Sequence, residues 1–175
     1  MSLGVLDWGI GGVFAALRAL EREPTLDLVY RSDSANTPYG KQTRAELARS
    51  VGAALDWLAE AGAEQILIAC HSGSTALRDL SPPVPTWGVI EPRAVPPDAG
   101  KLLVLGGART IRSGHWRRAL ASLPGERHIV QRVSQPLSAH IEGGRTDHPD
   151  CMADLDRILA PALDADVVVL ACTHY

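Results

Sequence analysis

Cysteine is scarce in this chain, and long hydrophobic runs are absent. Only three cysteines occur among 175 residues. This odd number, in a chain whose start (MSLGVLDWG) lacks a basic region followed by an apolar one, argues against disulfides and for free thiols. No apolar run approaches the roughly 20 residues that a membrane-spanning helix needs. We therefore expect a soluble, cytoplasmic protein with no membrane partner.

A surplus of positive charge is also missing. The chain has 17 basic and 20 acidic residues, a net charge of −3, and no long basic run. Because proteins dedicated to nucleic-acid binding carry a basic patch, we expect no nucleic-acid partner. The apolar share of 46% is ordinary for a globular protein and excludes collagen-like, disordered and coiled-coil classes.

Apolar runs alternate along the chain with amphipathic helical patterns. Strands are predicted at residues 3–6, 28–30, 65–70, 86–90, 101–105, 128–133 and 167–171. Helices are predicted at residues 13–22, 43–61, 72–80, 110–123, 136–142 and 151–163. This alternation predicts an α/β protein with mostly parallel sheets. Residues 92–100 have the composition of a linker, which gives two halves, 1–95 and 96–175.

A weak internal repeat supports the two halves. The run ILIACHS, which contains Cys70, is followed about 100 residues later by VVLACTH, which contains Cys172. The opening strand at residues 3–6 has a counterpart at 102–105. The repeat predicts two related α/β halves, each of which ends one strand in a cysteine.

Three reactive side chains directly follow predicted strands. Asp7, Cys70 and Cys172 each come after an apolar run, and ligands of parallel sheets bind at the carboxyl ends of the strands. Two thiols that face one ligand would suit inversion at a carbon, because one can remove a proton while the other delivers one. The alternative is that such cysteines are small buried hydrophobic residues, which is also the interpretation of Cys151.

Metal and nucleotide sites are less well supported. His71 and His174 lie beside the two strand-end cysteines, but no C-x-x-C pair is present and a structural zinc site needs four ligands. The turn at residues 7–12 (DWGIGG) misses the G-x-G-x-x-G spacing of dinucleotide sites. Its glycines are better suited to let backbone amides approach a carboxylate. We therefore expect no metal and no cofactor.

Six blocks follow one another along the chain, at residues 7–12, 33–40 (DSANTPYG), 69–74 (ACHSGS), 88–92 (GVIEP), 110–114 (TIRSG) and 171–175 (ACTHY). In this order they resemble the blocks of the glutamate racemases and, more broadly, of the aspartate/glutamate racemase superfamily. The resemblance implies two pseudo-symmetric, Rossmann-like parallel-sheet halves with the active site between them. It also implies cofactor-independent interconversion of L- and D-glutamate by two cysteines, which supplies D-glutamate for peptidoglycan.

The resemblance also implies roles for individual residues. The catalytic positions match Cys70, Cys172, Asp7 and His174, the last two assisting the thiols. Contacts with the amino-acid substrate match Asp7, Trp8, Tyr39, Gly40, His71, Ser72, Glu142, Thr173 and His174.

The chain departs from the family pattern at three points. Trp8 stands where the family has Ser, and His71-Ser72 stands where it has Asn-Thr. The family also continues beyond the position of Tyr175, so the second half is expected to be incomplete and to expose apolar surface that favours a homodimer. These departures leave two alternatives: a racemase or isomerase of another small carboxylate such as aspartate, or a non-catalytic binding module.

Overall fold

A computed structural model describes residues 1–92 and 95–175. These residues form two compact units, Met1–Val89 and Ile90–Tyr175. The linker predicted at residues 92–100 lies partly outside the described residues. Ile90 and Val95 pack against the core of the second unit. The boundary between residues 95 and 96 stays a prediction.

The first unit is a parallel sheet with helices. Its strands are β1 (Ser2–Asp7), β2 (Asp27–Ser32), β3 (Gln65–Ile68) and β4 (Thr86–Gly88), in the spatial order β2-β1-β3-β4. Its helices are α1 (Val13–Arg22), α2 (Arg44–Glu60) and the single turn α3 (His71–Ser74). Short 3₁₀ turns occupy Tyr39–Lys41 and Leu77–Asp79.

The second unit has the same arrangement with one strand fewer. Its strands are β5 (Lys101–Gly106), β6 (His128–Val133) and β7 (Val167–Ala171), all parallel and in the order β6-β5-β7. Its helices are α4 (Ala108–Ser113), α5 (His115–Ala121), α6 (Gln135–Glu142) and α7 (Pro149–Leu159), followed by a 3₁₀ turn at Ala160–Ala162. The α/β class with parallel sheets in two halves is therefore confirmed. No helix in the described part of the chain has the length and apolar character needed to cross a membrane.

Local chemistry explains where α2 begins and ends. Thr43 caps its first turn in a capping box with Glu46, and Gly62 follows its end with a φ of +94°. The predicted helix is confirmed, and its buried face is the predicted apolar stripe, Leu47, Val51, Ala54, Leu55 and Leu58.

Two predicted helices are wrong in extent. The segment 110–123 forms two helices, because Gly114 adopts the left-handed conformation (φ +66°) and ends α4 before α5 begins. The segment 72–80 forms only the turn α3 and a separate 3₁₀ turn. In both segments the apolar pattern continues across the residues at which the helix is interrupted.

Each sheet is covered by apolar side chains. Leu6, Ile66 and Ile68 pack with the buried face of α2 in the first unit. In the second unit, Leu103 and Leu105 pack with a cluster that includes Cys151 on α7. Cys151 is buried in this core, as its structural interpretation predicts.

Candidate active site

Asp7 ends β1 and is completely buried. Its Oδ2 accepts a hydrogen bond from the backbone N–H of Gly12 at 2.5 Å, so the carboxylate closes the glycine turn that leads into α1. A Cβ on Gly12 would lie 2.7 Å from the Cβ of Asp7 and 3.1 Å from that of Ala69. The sequence predicts that the backbone amides of this turn bind the carboxylate of a ligand. The carboxylate bound to the Gly12 amide belongs to the protein itself.

Cys70 follows β3, the strand that pairs with β1. The Ala69 N–H donates to the carbonyl of Leu6 at 2.8 Å, which continues the pairing of β1 with β3 as far as the residue before Cys70. Cys70 is 9% exposed and immediately precedes α3. The close neighbours of an added Cβ on Gly73 would be Ile68, Cys70 and Tyr39, the last two at 3.3 Å. A glycine at position 73 thus lets the Tyr39 ring approach the cysteine.

Tyr39 is buried and points its hydroxyl at a buried carboxylate. The hydroxyl donates to Asp33 Oδ2 at 2.8 Å, and the Asn36 amide donates to both Asp33 oxygens at 3.0 Å. Arg31 completes the set with a contact of 3.3 Å to Asp33 Oδ1. Burial, together with the adjacent Asp33 carboxylate, raises the pKa of Tyr39 far above its ordinary value. Tyr39 is therefore a neutral hydrogen-bond donor that holds the loop after β2.

His71 follows Cys70 and is buried as well. Burial lowers the pKa of His71 from 6.5 to about 4, because the interior does not solvate the imidazolium. Beside Cys70, the imidazole is therefore neutral at physiological pH.

The histidine near the second cysteine, His174, is positively charged at neutral pH, whereas His71 is neutral. Cys172 directly follows β7, and its Sγ lies 3.6 Å from Nδ1 of His174. The other ring nitrogen, Nε2, lies 2.5 Å from Oε1 of Glu142 at the end of α6. The hydrogen bond to Cys172 and that to Glu142 raise the pKa of His174 to about 9, although burial opposes them. Three predicted site residues thus form one chain: carboxylate, imidazolium and thiol.

Tyr175, three residues after Cys172, forms hydrogen bonds with Ser134. Its hydroxyl donates to the carbonyl of Ser134 at 2.8 Å and lies 2.7 Å from Ser134 Oγ. Ser134 follows β6, and its N–H donates to Gly106 at 2.9 Å. Asp33 follows β2 in the same way. Its N–H donates to the carbonyl of Asp7 at 2.9 Å, and its carboxylate accepts the hydroxyl of Tyr39. Each unit therefore uses a tyrosine to fix the residue after its edge strand.

The remaining predicted contacts lie around these clusters. The Trp8 indole N–H donates to the carbonyl of Asn36 at 2.9 Å, and its ring packs on the first unit's core. Gly40 lies in the 3₁₀ turn with Tyr39, and Ser72 is buried in α3. Thr173 is half-buried between Cys172 and His174. The alternative that Trp8 and His71 raise, a substrate that is another small carboxylate such as aspartate, stays a prediction.

Sequence reasoning overlooked four residues that support the site. Asp33, Asn36, Ser134 and Tyr175 hold the loops after β2 and β6, as described above. Asp33 and Ser134 could have been found, because each is a polar residue that directly follows the second strand of its unit, β2 or β6. The pairing of Tyr175 with Ser134 joins residues 41 positions apart and has no local sequence pattern.

A metal centre has no ligand set in the residues that the structure describes. Within 1–92 and 95–175, no group of three or more His, Cys, Asp or Glu side chains could hold a metal ion.

The two histidines are expected to titrate at opposite ends of the pH range. His71 should stay neutral down to about pH 4 and His174 should stay charged up to about pH 9. The raised pKa of His174 stabilises the fold fully below pH 6.5, and this contribution is lost as pH rises through 9. The depressed pKa of His71 has the opposite effect, so its contribution is complete above 6.5 and lost as pH falls towards 4.

NMR titration of the two imidazoles measures these values. In Glu142→Gln, the His174 midpoint should move to lower pH because a charged partner at 2.5 Å is removed, whereas the His71 midpoint should not move. Equal midpoints near 6.5 for both rings would contradict this description of the site.

Comparison with known proteins extends over the whole chain. The model of the Asp/Glu/Hydantoin racemase family matches residues 12–175. The glutamate racemase of Cupriavidus pinatubonensis is 37% identical over 183 residues, which cover 99% of this chain and 66% of that protein. The chain thus spans slightly less than two thirds of the length of that relative.

Solved structures agree with the sequence comparison. A glutamate racemase isoform from Bacillus anthracis has a TM-score of 0.88 at 27% identity, over 99% of this chain and 69% of that one. The glutamate racemase of Thermus thermophilus, in complex with β-chloro-D-alanine, has a TM-score of 0.84 at 28% identity, over 99% of this chain and 68% of that one. On the match of the family model, the chain belongs to the Asp/Glu/Hydantoin racemase family.

Proposed function

We propose that this chain is a cofactor-independent amino-acid racemase that interconverts L- and D-glutamate. The observation that carries the proposal is the repeated position of Cys70 and Cys172. Cys70 follows β3, which pairs with the first strand of its unit, β1, and Cys172 follows β7, which pairs with the first strand of its unit, β5. Asp7 ends β1, the strand that pairs with β3 before Cys70, and His174 contacts the second thiol. The relatives with 37% and 34% identity are glutamate racemases.

The proposed reaction moves one proton in each direction. A thiolate removes the α-proton of the substrate from one face, and the electron pair left on the α-carbon is delocalised into the carboxylate. The thiol on the opposite face donates its proton to that carbon, which inverts the centre. The two sulfurs exchange protonation states, so the reverse reaction or exchange with water restores the starting enzyme.

The surroundings of the thiols suit these roles differently. His174, as an imidazolium hydrogen-bonded to the Cys172 sulfur and to Glu142, can return a proton to Cys172 or stabilise its anion. Neutral His71 cannot do this for Cys70, so we assign assistance of Cys70 to Asp7. Tyr39, Gly40, Ser72, Thr173 and Trp8 are proposed to surround the substrate.

The proposal predicts metal-independent turnover of glutamate. The purified chain should convert L-glutamate to a racemic mixture, followed by chiral chromatography, and at an undiminished rate after dialysis against EDTA. L-aspartate is the comparison substrate. Turnover of aspartate alone would move the assignment to an aspartate racemase, and turnover of neither would contradict it.

We also propose that the chain acts in the cytoplasm, where D-glutamate would supply peptidoglycan synthesis.

We further propose that the chain associates with a second copy of itself. Val168 and Leu170 point to the same side of β7 and are 44% and 52% exposed. Apolar side chains clustered on a surface are typical of protein contacts. Sedimentation velocity should show a homodimer, and a monomer at all concentrations would contradict it.

A further inference from the structure

Ser74 lies four residues after Cys70 and is the last residue of α3. Its side-chain oxygen lies 2.8 Å from the carbonyl of Cys70 and 3.1 Å from that of Ile68, so its hydroxyl hydrogen is within reach of both. The same oxygen accepts the backbone N–H of Val89 at 3.0 Å. One buried atom thus joins the end of β3, the cysteine and the residue that follows β4.

The contact between α3 and β4 leaves no spare space. A Cβ added to Gly88 would lie 2.6 Å from Ser74 Oγ and 2.7 Å from Ser74 Cβ. Because neither Ser74 nor the end of β4 can move without the other, a displacement of β4 must reach the backbone of Cys70. Val89 is the last residue of the first unit, so this strand end is where the chain leaves for the second.

We propose that Ser74 is a positioning residue for Cys70, coupling the thiol to the end of β4. The catalytic part of this inference rests on the proposed racemase function, because it assumes that the position of the thiol limits the rate. Ser74 itself has no part in the proton transfers. It acts by holding the carbonyl of Cys70, which also accepts the Ser74 N–H at 2.8 Å.

Ser113 provides a matched control in the second unit. Its buried hydroxyl also donates to a carbonyl, that of Thr110 at 2.6 Å, and accepts a backbone N–H, that of His115 at 3.2 Å. Ser113→Ala therefore removes the same kind of hydrogen bonds at a place where no cysteine is held.

The experiment compares Ser74→Ala, Gly88→Ala and Ser113→Ala in two measurements. The first is the rate of alkylation of Cys70 by iodoacetamide relative to that of Cys172 in the same molecule, resolved by peptide mass spectrometry. The second is kcat and KM for glutamate. In Ser74→Ala and Gly88→Ala, the alkylation ratio should rise about tenfold as the turn loosens around a nearly buried thiol, and kcat should fall about tenfold to a hundredfold with KM within about twofold.

The control should leave the alkylation ratio at its parental value. If Ser74→Ala does not fold, the double variant Ser74→Gly with Gly88→Ala removes both close contacts, still lacks the hydroxyl, and should show the raised ratio. A ratio within about twofold of the parent in the folded variants would overturn the proposal. Absence of racemisation in the parent would instead count against the proposed function, since the alkylation ratio does not depend on turnover.

Discussion

Replacing Cys70 or Cys172 by alanine is expected to lower the rate of glutamate racemisation by a factor of about 10³ or more. Each thiol is assigned one of two proton transfers, and a positioned acid or base contributes about 10²–10⁴ to a rate. Neither sulfur is a disulfide partner in the structure, so its removal breaks no cross-link. Chiral chromatography of the product measures the effect.

Cys151→Ala is the control for the loss of a thiol. Cys151 lies on α7 and is buried in the core of the second unit, so its removal should cost about 1 kcal/mol of the free energy of unfolding and leave the rate within about twofold. A Cys70→Ala or Cys172→Ala variant that keeps a tenth of the parental rate would refute the two-thiol assignment.

Gly12→Ala is expected to have the largest effect on stability. The backbone of Gly12 (φ −70°, ψ −11°) suits alanine, so the whole effect comes from the new methyl group, 2.7 Å from the Cβ of Asp7 and 3.1 Å from that of Ala69. Overpacking of this kind costs about 1–3 kcal/mol of the free energy of unfolding. The displaced Asp7 should also lower the racemisation rate by about a hundredfold.

Gly52→Ala is the matched control, inside α2. An added Cβ there meets only Leu80, at an ordinary contact of 3.4 Å, and alanine is the better helix former. We expect about 0.5–1 kcal/mol of stabilisation and no change in rate. Urea unfolding measures both variants. If Gly12→Ala unfolds at the parental urea concentration, the close packing of the turn on β1 and β3 is wrong.

Most of the fold could be predicted from the sequence because the strands are continuous apolar runs and the chain repeats itself. The repeat places Cys70 and Cys172 at comparable strand ends before any coordinate is known. What failed was local: the apolar pattern of residues 110–123 continues through Gly114, and only the backbone shows that the helix breaks there. Periodicity describes which face is buried and not where a chain turns.

Less of the site could be predicted. Its candidate reactive residues stand out in the sequence because they follow strands, but their charge states depend on burial and on distant partners. His71 and His174 each lie within two residues of a cysteine, yet one is neutral and the other charged. His174 is charged because it is hydrogen-bonded to Cys172 and to Glu142, the latter 32 residues away in sequence, whereas His71 is neutral because it is buried.

We propose that two different thiols act on the two faces of one α-carbon. The most direct test of this proposal follows L-glutamate and the parental chain in D₂O by NMR, together with chiral analysis of the product. D-glutamate formed early should carry deuterium at the α-carbon while the remaining L-glutamate still carries protium, because different bases remove and deliver the proton. Early D-glutamate that retains the substrate's protium, or no exchange in either enantiomer, would contradict it.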